Sequence, residues 1–148
     1  MEITNLFANL QKNALGRTVM MAWSQVTPSK EVKEFMVRGK EIASKHTKVF
    51  GSVLEEDGLP VSMPWDAEVT DSEVAPFSDK MMMFMATILT ALSIGFYGTS
   101  MATSSRKDLA LDYVRLSAEI ASFAEDGAKI MIENGWLEEP PLAVHSDK

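Results

Sequence analysis

Gly58-Leu59-Pro60-Val61-Ser62-Met63-Pro64-Trp65-Asp66-Ala67-Glu68-Val69-Thr70-Asp71-Ser72-Glu73-Val74-Ala75-Pro76-Phe77 stands between two long helical patterns and decides the fold. Its prolines at 60, 64 and 76 prevent either helix from continuing through it. A connection of this length is uncommon inside a compact domain unless it has a task. Extended chain advances about 3.3 Å per residue and a helix about 1.5 Å, so the segment can climb the height of a helix. The helices on either side of it are then free to run parallel.

Working outward, the periodicity predicts helices over about 4–25, 28–57, 78–102 and 105–134. The connections are short, long, short. Helices one and two form one antiparallel hairpin, helices three and four another, and the crossover over 58–77 joins them. This is an all-α, ferritin-like four-helix bundle with up-down-down-up order, one domain over 1–148. The expected seams are Ile3, Phe7, Leu10, Ala14 and Met21 on helix one, with Arg17 on the seam and Asn13 beside it. On helix two they are Phe35, Gly39, Ile42, His46, Val49 and Val53. On helix four they are Leu109, Tyr113, Leu116, Ile120, Phe123, Gly127 and Ile130. Thr27 before Pro28 reads as an N-cap and first helical position, and Gly58 as a stop. Ser78 caps helix three, with Phe77 placed to staple against Met82, and Ser105 with Asp108 makes a weak capping box for helix four. Asn134-Gly135-Trp136 reads as a Schellman end; Pro140-Pro141 then forbids helix, and a mobile tail is expected over 138–148.

The chain has 148 residues, no cysteine and a formal net charge of −7. That excludes disulfides and thiolate sites, and argues against nucleic acid or anionic membrane surfaces as partners. The opening Met-Glu-Ile-Thr-Asn-Leu-Phe lacks the basic region and apolar run of a secretory signal, so a cytoplasmic protein is expected. Met81 to Ala102 carries no charge and is long enough to span a bilayer. Its scattered Thr, Ser and Tyr residues and the flanking Asp79-Lys80 and Arg106-Lys107-Asp108 favour a fully buried core helix and no membrane span.

A di-iron centre in such a bundle needs a Glu from each of two helices and a Glu-x-x-His from each of the others. Helix three offers no Asp, Glu or His between Lys80 and Arg106, helix one offers only Glu2, and no Glu-x-x-His occurs. His46 nevertheless falls on the apolar seam of helix two. One reading is a neutral core histidine held by a hydroxyl or carbonyl. The other is a metal ligand or acid/base group completed by Tyr97, Tyr113 or Glu119. Asp112, Glu119, Asp126 and Glu133 recur every seven residues beside the helix-four seam. This row reads as a bundle flank paired with Arg38 and Lys45, or as a cation-binding row. Met81, Met82, Met83 and Met85 suit a core filler better than Cu(I) without nearby Cys or His. Phosphate loops, His-Glu-x-x-His and Gly-x-Ser-x-Gly are absent.

Glu56-Asp57-Gly58-Leu59-Pro60, Trp65-Asp66-Ala67-Glu68-Val69-Thr70 and Pro76-Phe77-Ser78-Asp79-Lys80-Met81-Met82 resemble an uncharacterised ferritin-like family. So do Tyr97-Gly98, Ser105-Arg106-Lys107-Asp108-Leu109 and Ala124-Glu125-Asp126-Gly127. The most specific stretch runs from Met131-Ile132-Glu133-Asn134-Gly135-Trp136 to Leu137-Glu138-Glu139-Pro140-Pro141. The family is catalogued as domain of unknown function number 3231 and occurs mainly in spore-forming Gram-positive bacteria. The resemblance implies the four-helix fold and no established activity. It also implies a homodimer, because longer members carry two copies of the domain. Some members have histidine where this chain has Met85, whereas His46 matches the family pattern.

These readings converge on a non-enzymatic bundle with a structural or interaction role linked to sporulation, needing no cofactor. Trp65 and Trp136 are either contact groups or plugs at the bundle ends. The alternative is a metal-binding or redox protein with a reduced ligand set of His46, Glu119 and Asp126, holding iron, manganese or zinc.

Overall fold

A computed structural model of the chain describes residues 1–61, 63–139 and 141. It contains α1 (Glu2–Val26), α2 (Lys30–Glu56), a 3-10 turn (Asp66–Glu68), α3 (Asp79–Ala102) and α4 (Lys107–Glu133). Most of the tail over 138–148 lies outside the described residues.

Cross-helix bonds fix the order. Asn5 and Asn13 of α1 and Thr27 at its C-cap bond Thr103, Tyr97 and Asp79 in descending sequence, so α1 and α3 are antiparallel. Glu31, Arg38 and Asp57 meet Asn134, Asp126 and Arg106 in the same manner, so α2 and α4 are antiparallel. It follows that α2 and α3 point the same way. The crossover does climb the outside of the bundle, along α1. Trp65 donates to Gln11, Asp66 pairs with Arg17, and Gln25 holds the carbonyls of Thr70 and Ser72. Trp65 is therefore half-exposed on the strap, whereas Trp136 packs on the core.

Several helix ends match their sequence signals. Ser78 Oγ accepts from Met81 N. Gly135 takes φ +68°, with Trp136 N donating to Met131 O at 2.7 Å, as a Schellman end requires. Two ends differ. Ser29, not Thr27, caps α2, accepting from Val32 N, because the Thr27 hydroxyl is already bonded to Asp79 of α3. The Ser105–Asp108 box does not form, since Asp108 is drawn to Arg106. The start of α4 is capped instead by Glu2 of α1, whose carboxylate accepts from Ser105 N and Arg106 N at 2.6 and 2.9 Å and from the Ser104 hydroxyl. These bonds, the Ser104 hydroxyl first, hold the Glu2 carboxyl below its ordinary pKa.

Two expectations about helix faces are corrected. Ile3 and Phe7 are exposed, and the buried side of α1 carries Leu6, Asn9, Leu10, Asn13 and Ala14. The seam is rotated because Asn9 and Asn13 point inward to buried partners. Nor is α3 fully buried. A corner helix of a four-helix bundle needs one apolar face, and α3 is apolar all round, so Phe84, Ile88, Leu92 and Phe96 remain about half exposed. By length and composition α3 is the one helix, among the described residues, able to cross a membrane.

The core has two parts. One gathers around Trp23, Met36, Met82, Met83 and Phe123, the other around Leu10, Phe50, Tyr113 and Leu116. The buried methionines act as apolar filler, as their place on α3 suggested.

Candidate functional site

Between the two cores lies a polar layer to which every helix contributes. His46 of α2 is fully buried. Its Nε2 lies 2.9 Å from Glu119 Oε2 on α4, and its Nδ1 lies 2.9 Å from the Tyr97 hydroxyl on α3. An ionised carboxylate only accepts, so Nε2 carries the proton and Nδ1 accepts from Tyr97. The Tyr97 oxygen in turn accepts from Asn13 Nδ2 at 2.7 Å. Asn13 also donates to Asn9 O, and Asn9 Nδ2 donates to Ser100 Oγ at 2.8 Å. Glu119, His46, Tyr97, Asn13, Asn9 and Ser100 thus form one relay across the bundle.

Burial sets the electrostatics. It pushes the His46 pKa below 6.5 against the pull of Glu119, and pushes Tyr97 well above 10. Burial raises the Glu119 pKa, but His46 and Lys45 together hold it below 4.5. Histidine is therefore neutral and glutamate ionised at pH 7. Lys12 of α1 joins the layer from the other side. Its Nζ donates to Asn9 Oδ1 at 3.1 Å and to Ser93 O at 3.5 Å, and lies 4.3 Å from the Tyr97 ring centre. Burial pulls its pKa down to about 7.

Of the sequence-predicted residues, His46 and Glu119 come together, with Tyr97 completing them. Asp126 is held at the surface by Arg38, two helical turns from Glu119. Lys45 pairs with Glu119 at 2.9 Å, and Asp112 with Arg115. Exposed ion pairs of this kind contribute about 0–1 kcal/mol each. A di-iron group does not fit. Where it would need four carboxylates and two histidines, the layer offers one of each, with both ring nitrogens engaged and a lysine close by. Among the described residues, no three His, Asp or Glu are placed to hold a metal ion. Lys12, Asn9 and Asn13 were missed as members of the layer. Their one signal is the i, i+3, i+4 spacing of polar side chains along a helix that needs an inner face.

Residues 1–148 match the family described as Protein of unknown function (DUF3231). The chain belongs to that family. A comparison with the curated proteins finds no match. Among solved structures, the DUF3231 chain is similar to the crystal structure of "a putative spore coat protein" from Bacillus halodurans. The identity is 16% and the TM-score 0.84, covering 96% of this chain and 92% of that one. At this identity the likeness shows the fold, the four-helix bundle. The family is the one that the C-terminal stretch around Asn134-Gly135-Trp136 resembles.

Proposed function

We propose that this protein is a cytoplasmic, non-enzymatic bundle that acts by association, as a homodimer, in the setting of spore formation. The observation that carries the reading is the uncovered face of α3. Phe84, Ile88, Leu92 and Phe96 recur every four residues and are 53, 45, 51 and 50% exposed. Beside this ridge, Ala91, Gly95 and Thr99 repeat at the same spacing and form a shallow groove. The chain carries no charge from Met81 to Ser105 to keep this face in water. Ridge and groove lie on the same helix, so a twofold partner places each ridge in the other's groove. Burying apolar area favours this by about 25 cal/mol per Å². The closed relay through His46 supports a non-catalytic role, because its polar groups already bond one another. The spore coat assignment of the Bacillus halodurans protein supports the setting.

Light scattering at micromolar concentration is expected to give twice the chain mass, and Leu92→Glu to give a monomer with unchanged helix content. A monomeric wild type, or a Leu92→Glu variant that stays dimeric, overturns the association. Equal abundance in vegetative and sporulating cells overturns the setting. Protein purified without added metal is expected to carry no stoichiometric iron, manganese or zinc. Stoichiometric metal that disappears on His46→Ala would replace this reading with a metal protein built on His46 and Glu119.

A further inference from the structure

The layer between the two cores is not completely filled. All four helices line a half-open cavity of about 60 Å³ beside it. Met20, Ile42, Leu89 and Phe123 make its apolar wall, and Lys12 is the one charged residue lining it. Gly16 and Ser93 form the wall at the α1–α3 seam, where both are partly buried; a Cβ at Gly16 would meet nothing within 4 Å. Lys12 has no carboxylate partner among the described residues, and two of its three ammonium protons are used by Asn9 and Ser93. A partly buried ammonium without a counter-charge beside an apolar space is a receptor for an anion with a hydrocarbon end.

We infer that this cavity binds a small carboxylate, its oxygens on Lys12 Nζ and its hydrocarbon end against Met20, Ile42 and Phe123. The space takes a few waters, which suits a carboxylate as small as acetate or propionate. Chloride would satisfy the charge and leave the apolar wall unfilled. Phosphate would bring more polar groups than the cavity can bond.

The inference carries a pH signature. The titratable groups facing Lys12 are His46 from α2, Tyr97 from α3 and, beyond His46, Glu119 from α4 paired with Lys45. Above pH 6.5 histidine and tyrosine stay neutral and glutamate ionised, leaving Lys12 as the group in the layer that titrates near pH 7. The carboxylate binds the ammonium form. Its affinity therefore levels off about one unit below pH 7 and weakens toward tenfold per pH unit above it.

Calorimetric titration of the full chain with propionate tests this. Saturable binding near pH 6.5 is expected, with the tenfold-per-unit loss above pH 7. Lys12→Met is expected to abolish it, and Gly16→Leu to abolish it by blocking the seam while Lys12 remains. Absence of saturable binding, an affinity level from pH 7 to 9, or undiminished binding in folded Lys12→Met each overturns the inference. Should Lys12→Met fail to fold, the wild-type pH profile decides. Displacement of propionate by equimolar chloride would mark a bare anion site and overturn the carboxylate assignment.

Discussion

Phe123→Ala is expected to cost about 3–5 kcal/mol and to reverse the sign of a second substitution, Gly39→Ala. The reason lies in a reciprocal arrangement between α2 and α4. Each carries phenylalanine four residues before glycine: Phe35 with Gly39, and Phe123 with Gly127. Antiparallel packing lays each ring over the other helix's glycine. The rings stack with centroids 4.2 Å apart and planes 7° from parallel. A Cβ on Gly39 would lie 2.8 Å from Phe123 Cζ, and one on Gly127 would lie 2.7 Å from Phe35 Cζ. Alanine at 39 gains about 1 kcal/mol of helix preference, but pushing a stacked ring out of a full core costs about 1–3 kcal/mol. The wild type should therefore lose stability on Gly39→Ala. With Phe123 already alanine the closest collision is gone and Met20 Sδ and Cγ, at 3.2 and 3.3 Å from the new Cβ, still crowd it. That flexible side chain can give way and the helix preference remains, so the same change should stabilise by up to about 1 kcal/mol. Urea denaturation of the four variants measures the cycle. Equal destabilisation by Gly39→Ala in both backgrounds would show that the ring does not make glycine necessary there.

This pair also marks where sequence reading stops. Phe35, Gly39, Phe123 and Gly127 all stand on the seams that periodicity predicts, because an apolar face at 3–4 spacing is a local property of one helix. Their mutual fit is a property of register between segments about ninety residues apart, which no local pattern encodes. The topology was legible for a different reason: chain reach limits what a proline-rich connection can do, whatever packs beneath it. Helix α1 was misread because the seam rule assumes an apolar inner face. Asn9 and Asn13 face inward only because Ser100 and Tyr97 wait across the bundle. Glu2 falls before the expected start of helix one near residue 4 and yet caps α4, a role set wholly by tertiary proximity. At the site, phase put His46 on the helix-two seam, and Glu119 and Tyr97 were two of the three partners offered for it, with Tyr113 the third. Lys12 was not legible: its i, i+3, i+4 spacing with Asn9 and Asn13 places it on a polar stripe but does not say that its ammonium turns inward.

Tyr97→Phe removes a single oxygen, yet it is expected to cost about 2–5 kcal/mol. That oxygen satisfies two buried neighbours, accepting from Asn13 and donating to His46 Nδ1. Each buried polar group left unpaired costs about 1–3 kcal/mol. The same relay governs acid stability. His46 stays neutral in the folded state because burial holds its pKa below 6.5, while the unfolded chain takes up a proton near 6.5. Below that pH the unfolded state binds more protons, so stability falls as the pH falls, by at most about 1.4 kcal/mol per unit for one proton. Glu119, held below 4.5, adds a further loss that begins only as the pH drops through 4.5. His46→Leu should therefore flatten the profile between pH 6.5 and 4.5 and also shrink the loss below it, because Glu119 then keeps only Lys45 to hold its pKa down against burial. In Tyr97→Phe the ring loses the bond that favours its neutral form, so the first loss should become shallower as well. Denaturant midpoints measured from pH 4 to pH 8 distinguish these profiles. A decline between pH 6.5 and 4.5 that survives unchanged in His46→Leu would mean that the buried relay is not what titrates there.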